Sequence, residues 1–203
     1  MKKTLIVVIV LAAIILIARP FFCNGKKDDK SANGTAAEKQ KPISIEGNSD
    51  AFNQSFTNLI NAYIDLKDAL VASDAAKATA AAQTLRTASD SLKVNEIKGD
   101  STRVIKQTAL SYTSTITGSA QALVAEKDIE RKRNIFGNIA ESMWTLTRTV
   151  RYGGKKLFWE YCPMAFNNQG AYWISYERDI KNPYFGSKMM NCGSVEDSID
   201  YSK

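Results

Sequence analysis

The chain has 203 residues, a formal net charge of +6 and no histidine. Without histidine it lacks the usual general base and the commonest zinc ligand, which excludes Ser-His-Asp and Cys-His enzymes. Lys2, Lys3 and Arg19 belong to an N-terminal apolar run, so the remainder carries only +3, and residues 155–203 hold six Lys/Arg against six Asp/Glu. No face is built for phosphates, and no nucleic-acid partner is expected.

Residues 4–18 read TLIVVIVLAAIILIA, an uncharged apolar run behind Lys2 and Lys3. A signal-peptide core spans roughly 7–15 residues and a full membrane span about 20, so this run lies between them. Phe21 and Phe22 extend it past Arg19-Pro20, and no small-x-small cleavage site follows. Residues 1–22 therefore read as an anchor, with a cleaved signal peptide as the alternative. Lys2 and Lys3 keep the N-terminus cytoplasmic, which places the rest in the periplasm or on the outer face of the envelope. Cys23 raises the question of lipidation, and Pro20-Phe21-Phe22 argue against it because they lack the small residues a lipoprotein peptidase wants. Residues 23–49 are polar and charged and read as a flexible linker.

From residue 50 the pattern becomes helical. Phe52, Phe56, Leu59, Ile60, Tyr63, Leu66 and Leu70 recur at steps of three and four, and Asp50 is a plausible cap. Asp74 to Lys93 is alanine-rich, which favours helix and close helix approach. After a break at Gly99-Asp100-Ser101, a third helix is predicted over Ser101–Glu126, with Val104, Ile105, Ala109, Tyr112, Ile116, Ala120 and Leu123 inward. A fourth is predicted over Asp128–Arg151, with Ile129, Phe136, Ile139, Met143, Leu146 and Val150 inward and Gly153-Gly154 ending it. Short connections imply a mainly α domain over residues 50–203, an antiparallel four-helix bundle. No inward position carries a di-metal ligand set, so the bundle reads as scaffold.

The tail, residues 155–203, is aromatic-rich. LFWEYCPMAF and AYWISY are strand-like, with a turn signal at Asn167-Asn168-Gln169-Gly170 between them. The expectation is a C-terminal hairpin followed by an irregular loop, folded on the bundle.

The tail also holds two sulfur clusters, Cys162-Pro163-Met164 and Met189-Met190-Asn191-Cys192. Thiolate and thioether are soft ligands suited to Cu(I). Cys162, Met164, Met189 and Cys192 are the candidate metal ligands, in an aromatic shell that limits access of water. The alternative is a Cys162–Cys192 disulfide, normal in an oxidising compartment, with the methionines as core packing. Spacing leaves both open. A redox enzyme is disfavoured because no Cys-x-x-Cys is present.

The segment Tyr161–Gly193, YCPMAFNNQGAYWISYERDIKNPYFGSKMMNCG, resembles a bacterial domain of unknown function. That domain occurs alone or at the C-terminus of periplasmic adaptor subunits of heavy-metal efflux pumps of the resistance–nodulation–division type. The shared pattern is Cys162-Pro163-Met164, Trp173-Ile174-Ser175, Asn182-Pro183-Tyr184-Phe185-Gly186, Met189 and Cys192-Gly193. Met190 falls where the family varies, and the histidine that members often carry near the cysteines is missing. The resemblance implies copper or heavy-metal handling beside an efflux system. It tips the expectation toward a non-enzymatic, membrane-anchored protein that binds Cu(I) and hands it to an exporter. Trp173 and Tyr184 would shield the site. The expected partners are the metal ion and an efflux-pump adaptor or other envelope protein. The competing expectation is a disulfide-stabilised interaction module without metal, using the bundle surface or the Asn182–Gly186 loop.

Overall fold

A computed structural model describes residues 47–202. The anchor, Cys23 and nearly all of the linker lie outside the described residues. Within them no helix is long and apolar enough to cross a membrane.

The chain is mainly helical. Four long helices, α1 (Asp50–Val71), α2 (Ala75–Asp90), α3 (Val104–Ala125) and α4 (Ile129–Val150), are followed by a small sheet. Every apolar residue predicted inward on α1 is buried. The cap differs by one position. Ser49 is the N-cap and its Oγ accepts from the Phe52 N–H at 3.1 Å, while Asp50 is the first helical residue. A carboxylate there still favours the positive end of the helix dipole.

Asp74 and Asp128 cap α2 and α4, each accepting the backbone N–H three residues on at 2.9 Å. On α2 the buried face is Ala78, Ala82, Leu85 and Ser89, so small side chains let its neighbours approach. This helix stops at Asp90, short of the predicted Lys93, because Leu92, Val94 and Ile97 fold back into the core around a 3-10 turn at Val94–Glu96. Helix α3 starts three residues later than predicted. Arg103 sits at φ 59°, outside the right-handed region, and Asp100 Oδ2 accepts from the Lys106 N–H at 2.8 Å. Val104 was expected inward and is exposed instead, while Ile105 beside it takes the buried position. At the end of α4, Arg151 takes the left-handed position (φ 50°) that was expected of glycine, and Gly153-Gly154 lie beyond it.

Each helix packs on the next, and α4 returns to α1. The Tyr63 and Phe136 rings stack at 5.3 Å, and the Asn48 amide donates to the Val150 carbonyl at 2.7 Å. Burial drives this arrangement. Each fully covered Leu, Ile or Phe contributes about 1.5–3 kcal/mol.

The tail forms three strands in the order β2-β1-β3, with β1 (Leu157–Cys162) central, β2 (Ala171–Ser175) and β3 (Ser194–Ile199), both antiparallel to β1. The predicted hairpin is present. The predicted irregular loop is not the whole of the remainder, because its last part is β3. That strand is largely exposed and reads SVEDSI, so it carries no alternating apolar signal. Trp159 of β1 lies between Trp144 of α4 (4.8 Å) and Tyr172 of β2 (5.0 Å), which fastens the sheet to α4. The Ile174 N–H donates to the Tyr63 hydroxyl at 3.0 Å, so α1 covers the free edge of β2.

Candidate functional site

Cys162 ends β1 and points to the same side of the sheet as Glu160, two residues back. Cys192 lies in the loop before β3. Between them, Asn182 organises the loop. Its Oδ1 accepts from the N–H groups of Tyr184 (2.8 Å) and Phe185 (3.2 Å), and its Nδ2 donates to the Cys192 carbonyl at 2.8 Å. The Asn182 N–H donates to the Met190 carbonyl at 2.9 Å. The loop is thereby folded back so that Cys192 reaches β1.

The two cysteines form a disulfide, with Cα atoms 5.7 Å apart. That separation is ordinary for a bridge. Cys162 is fully buried and Cys192 half-buried. Joined in this way, neither offers a thiolate. Among the described residues no group of three or more His, Cys, Asp or Glu could hold a metal ion.

The methionines are placed differently. Met164 is 47 % exposed on the turn after β1, and Met189 is half-buried. Both line one cavity of about 610 Å³ with Phe166 and Phe185. Met190 lines a separate depression with Val71 and Ile180. Trp173 is fully buried and lies over Gly193, where a Cβ would come within 2.9 Å of its ring. Tyr184 stands edge-on to both Trp173 (5.9 Å) and Phe166 (5.1 Å), and its hydroxyl donates to the Tyr172 carbonyl. These two aromatics brace the fold around the bridge.

The Asn182–Gly186 loop, one of the two surfaces offered to a partner in the competing expectation, faces the helices. Asn182, Pro183, Tyr184 and Gly186 are buried. Gly186 has φ +57°, and a Cβ there would meet Ser73 Oγ at 2.6 Å and the Val71 carbonyl at 2.8 Å. Only glycine fits both the conformation and the space. Arg133 on α4 completes the joint. It is buried, and it donates to the Pro183 carbonyl (2.9 Å), the Leu70 carbonyl (3.0 Å), Ser73 Oγ (2.8 Å) and Glu130 (2.8 Å). The preceding residue, Lys132, is also buried and donates to Thr79 Oγ1 and the Leu123 carbonyl, both at 2.8 Å, which ties α4 to α2 and α3.

One polar residue stands out that the sequence did not single out. Glu160 is fully buried on the central strand, and neither carboxylate oxygen has a hydrogen-bond partner among the described residues. Burial pushes its pKa up to about 7, while Lys67 pulls the other way. The Trp173 indole N–H favours the charged form, yet it makes no hydrogen bond of good geometry. The only available sequence signal was a Glu inside an otherwise apolar strand, LFWEYC.

A family model described as a protein of unknown function (DUF3347) matches residues 59–153. The match runs from the middle of α1 past the end of α4 and stops before β1, so it covers the helices and none of the four sulfur residues. It carries nothing about a pump or a metal. No curated protein and no solved structure matches the chain.

Proposed function

We propose that this protein is a non-enzymatic binding module of the cell envelope, in which an antiparallel four-helix bundle carries a disulfide-closed cap. The Cys162–Cys192 bridge is the observation that carries this reading. Disulfides form and persist in oxidising compartments, which agrees with an anchored chain whose domain faces outward. A bridge closing a loop of this length stabilises by about 3–4 kcal/mol in the chain-entropy model. The residues of the tail pattern support the same view, since Asn182 and Gly193 shape the cap and Gly186 seats it against the helices. The binding face is then the side left open, between α4 and the turn after Cys162-Pro163-Met164. A partner there would be another envelope component, an efflux-pump adaptor among them. The test is thermal melting with and without dithiothreitol. The reading expects a fall in Tm of about 10 °C on reduction. An unchanged Tm would remove its basis.

A second reading is favoured by one observation: Met164 and Met189 line the same cavity, within a few residues of the bridged cysteines. If the bridge is reduced, Cys162 and Cys192 become thiolates and Met164 and Met189 thioethers around one soft cation, Cu(I). A bound cation would itself depress the thiol pKa values. This reading expects one Cu(I) per reduced protein and none per oxidised protein. Equal Cu(I) binding by the Cys162→Ser/Cys192→Ser variant would sink it.

A further inference from the structure

A trough runs along the outer side of α4. Its two basins, of about 610 and 540 Å³, share Asn134, Phe166 and Gln169. One wall is α4, joined in the second basin by Thr115 and Ser119 of α3, and the other is the turn between β1 and β2. From Glu130 to Ser142 the α4 wall is about 18 Å long at the helical rise.

The polar lining is dominated by neutral carboxamides. Asn138 on α4 and Asn167, Asn168 and Gln169 on the turn make no side-chain hydrogen bond among the described residues, and the Asn134 amide donates only to the Glu130 carbonyl at 3.2 Å. The Glu130 carboxylate already meets Arg133 at 2.8 Å and Lys188 at 3.5 Å. Free amides therefore outnumber free charges along the trough.

The turn wall is strained. Phe166, Asn167 and Asn168 all take left-handed conformations, with φ of 53°, 57° and 67°. Asparagine tolerates that region and phenylalanine does not. Backbone strain of this kind supports a functional role where it is observed. Here it swings the Phe166 ring against Gly137, where a Cβ would lie 3.3 Å from the ring, and makes that ring the ridge between the basins. It also leaves Asn167 and Asn168 exposed on the wall.

We propose that this trough binds a neutral, hydroxyl-rich carbohydrate chain. A carboxamide presents a donor and an acceptor side by side, which matches a sugar hydroxyl that both donates and accepts. The C–H face of a pyranose is apolar and meets the negative face of an aromatic ring such as Phe166. Apolar peptide side chains would leave the amides unpaired, and a polyanion would find no free cation among the residues that line the trough. The inference rests on the reading of this side as the binding face.

The test uses the oxidised protein, followed by amide NMR shifts and calorimetry with chitotetraose and cellotetraose. Shifts confined to residues 130–142 and 164–172, saturating below about 10 mM ligand, are expected for at least one of them. The Asn167→Gly/Asn168→Gly variant keeps the left-handed turn and removes both amides. It should melt no lower than the parent and bind at least tenfold more weakly, while Phe166→Ala should lose binding altogether. Absence of shifts with both sugars overturns the proposal, as does full binding by the glycine variant. Shifts in the trough from a basic peptide but from neither sugar also overturn it. In each of these cases an intact bridge with the expected melting behaviour would leave the envelope-module reading standing.

Discussion

The Arg133 Nε–H donates to the carbonyl of Pro183 at 2.9 Å, and this bond ties helix α4 to the Asn182–Gly186 loop of the C-terminal cap. The same guanidinium reaches the end of α1 through the Leu70 carbonyl and Ser73, so a single buried fork holds three segments. Removing it strands the buried Pro183 carbonyl oxygen, worth about 1–3 kcal/mol when left unpaired, whereas the Leu70 carbonyl still accepts from the Ser73 N–H at 3.0 Å. Arg133→Leu is therefore expected to destabilise by about 2 kcal/mol and to lower Tm by about 6 °C. Arg133→Lys should rescue little, because an ammonium lacks the planar fork. Hydrogen exchange at residues 182–186 checks the mechanism, since those amides should lose protection before the helices do.

Gly186→Ala tests the joint from the other side. The added Cβ would enter backbone and side-chain atoms at 2.6–2.9 Å, and φ +57° is itself unfavourable for alanine. The strain and clash together should cost about 2–3 kcal/mol. Gly47→Ala, where a Cβ meets nothing within 4 Å, is the matched control and should leave urea denaturation unchanged.

Glu160 predicts a pH dependence. Its folded pKa, about 7, lies above the model-peptide value for Glu, so between those two pH values the folded state holds more protons than the unfolded state. Stability is then full at acidic pH and falls as pH rises toward and through 7. Lys67 on α1 opposes the shift, and Glu177 and Asp179 from the loop after β2 reinforce it. Glu160→Gln should raise stability above pH 8 by on the order of 2 kcal/mol after solvent screening, and the gain should vanish near pH 4. Denaturant melts of both proteins at the two pH values decide this. A constant difference at all pH values would contradict it.

The four helices were legible because each repeats its apolar residues at three- and four-residue steps and carries Ser or Asp near its start. Their ends were less legible. Asp100 and Arg103 delay α3, and Leu92, Val94 and Ile97 shorten α2, through tertiary contacts that no local pattern announces. Strand β3 was invisible because it is exposed and acidic; it is held by pairing to β1 and not by an apolar face. In the tail, the spacing made Cys162 and Cys192 plausible partners and could not choose between bridge and ligands. The Asn182–Gly186 pattern read as a possible contact surface, and only the Arg133 and Ser73 contacts show it turned inward.

The most direct measurement of the central claim is alkylation mapping of the full chain, purified without reductant and digested before mass analysis. The account predicts one cross-linked peptide pair containing Cys162 and Cys192, two hydrogens lighter than the reduced pair, with neither cysteine alkylated. Recovery of both as alkylated free thiols, with Cu(I) bound stoichiometrically in the native protein, would contradict it and establish the sulfur cluster as a metal site.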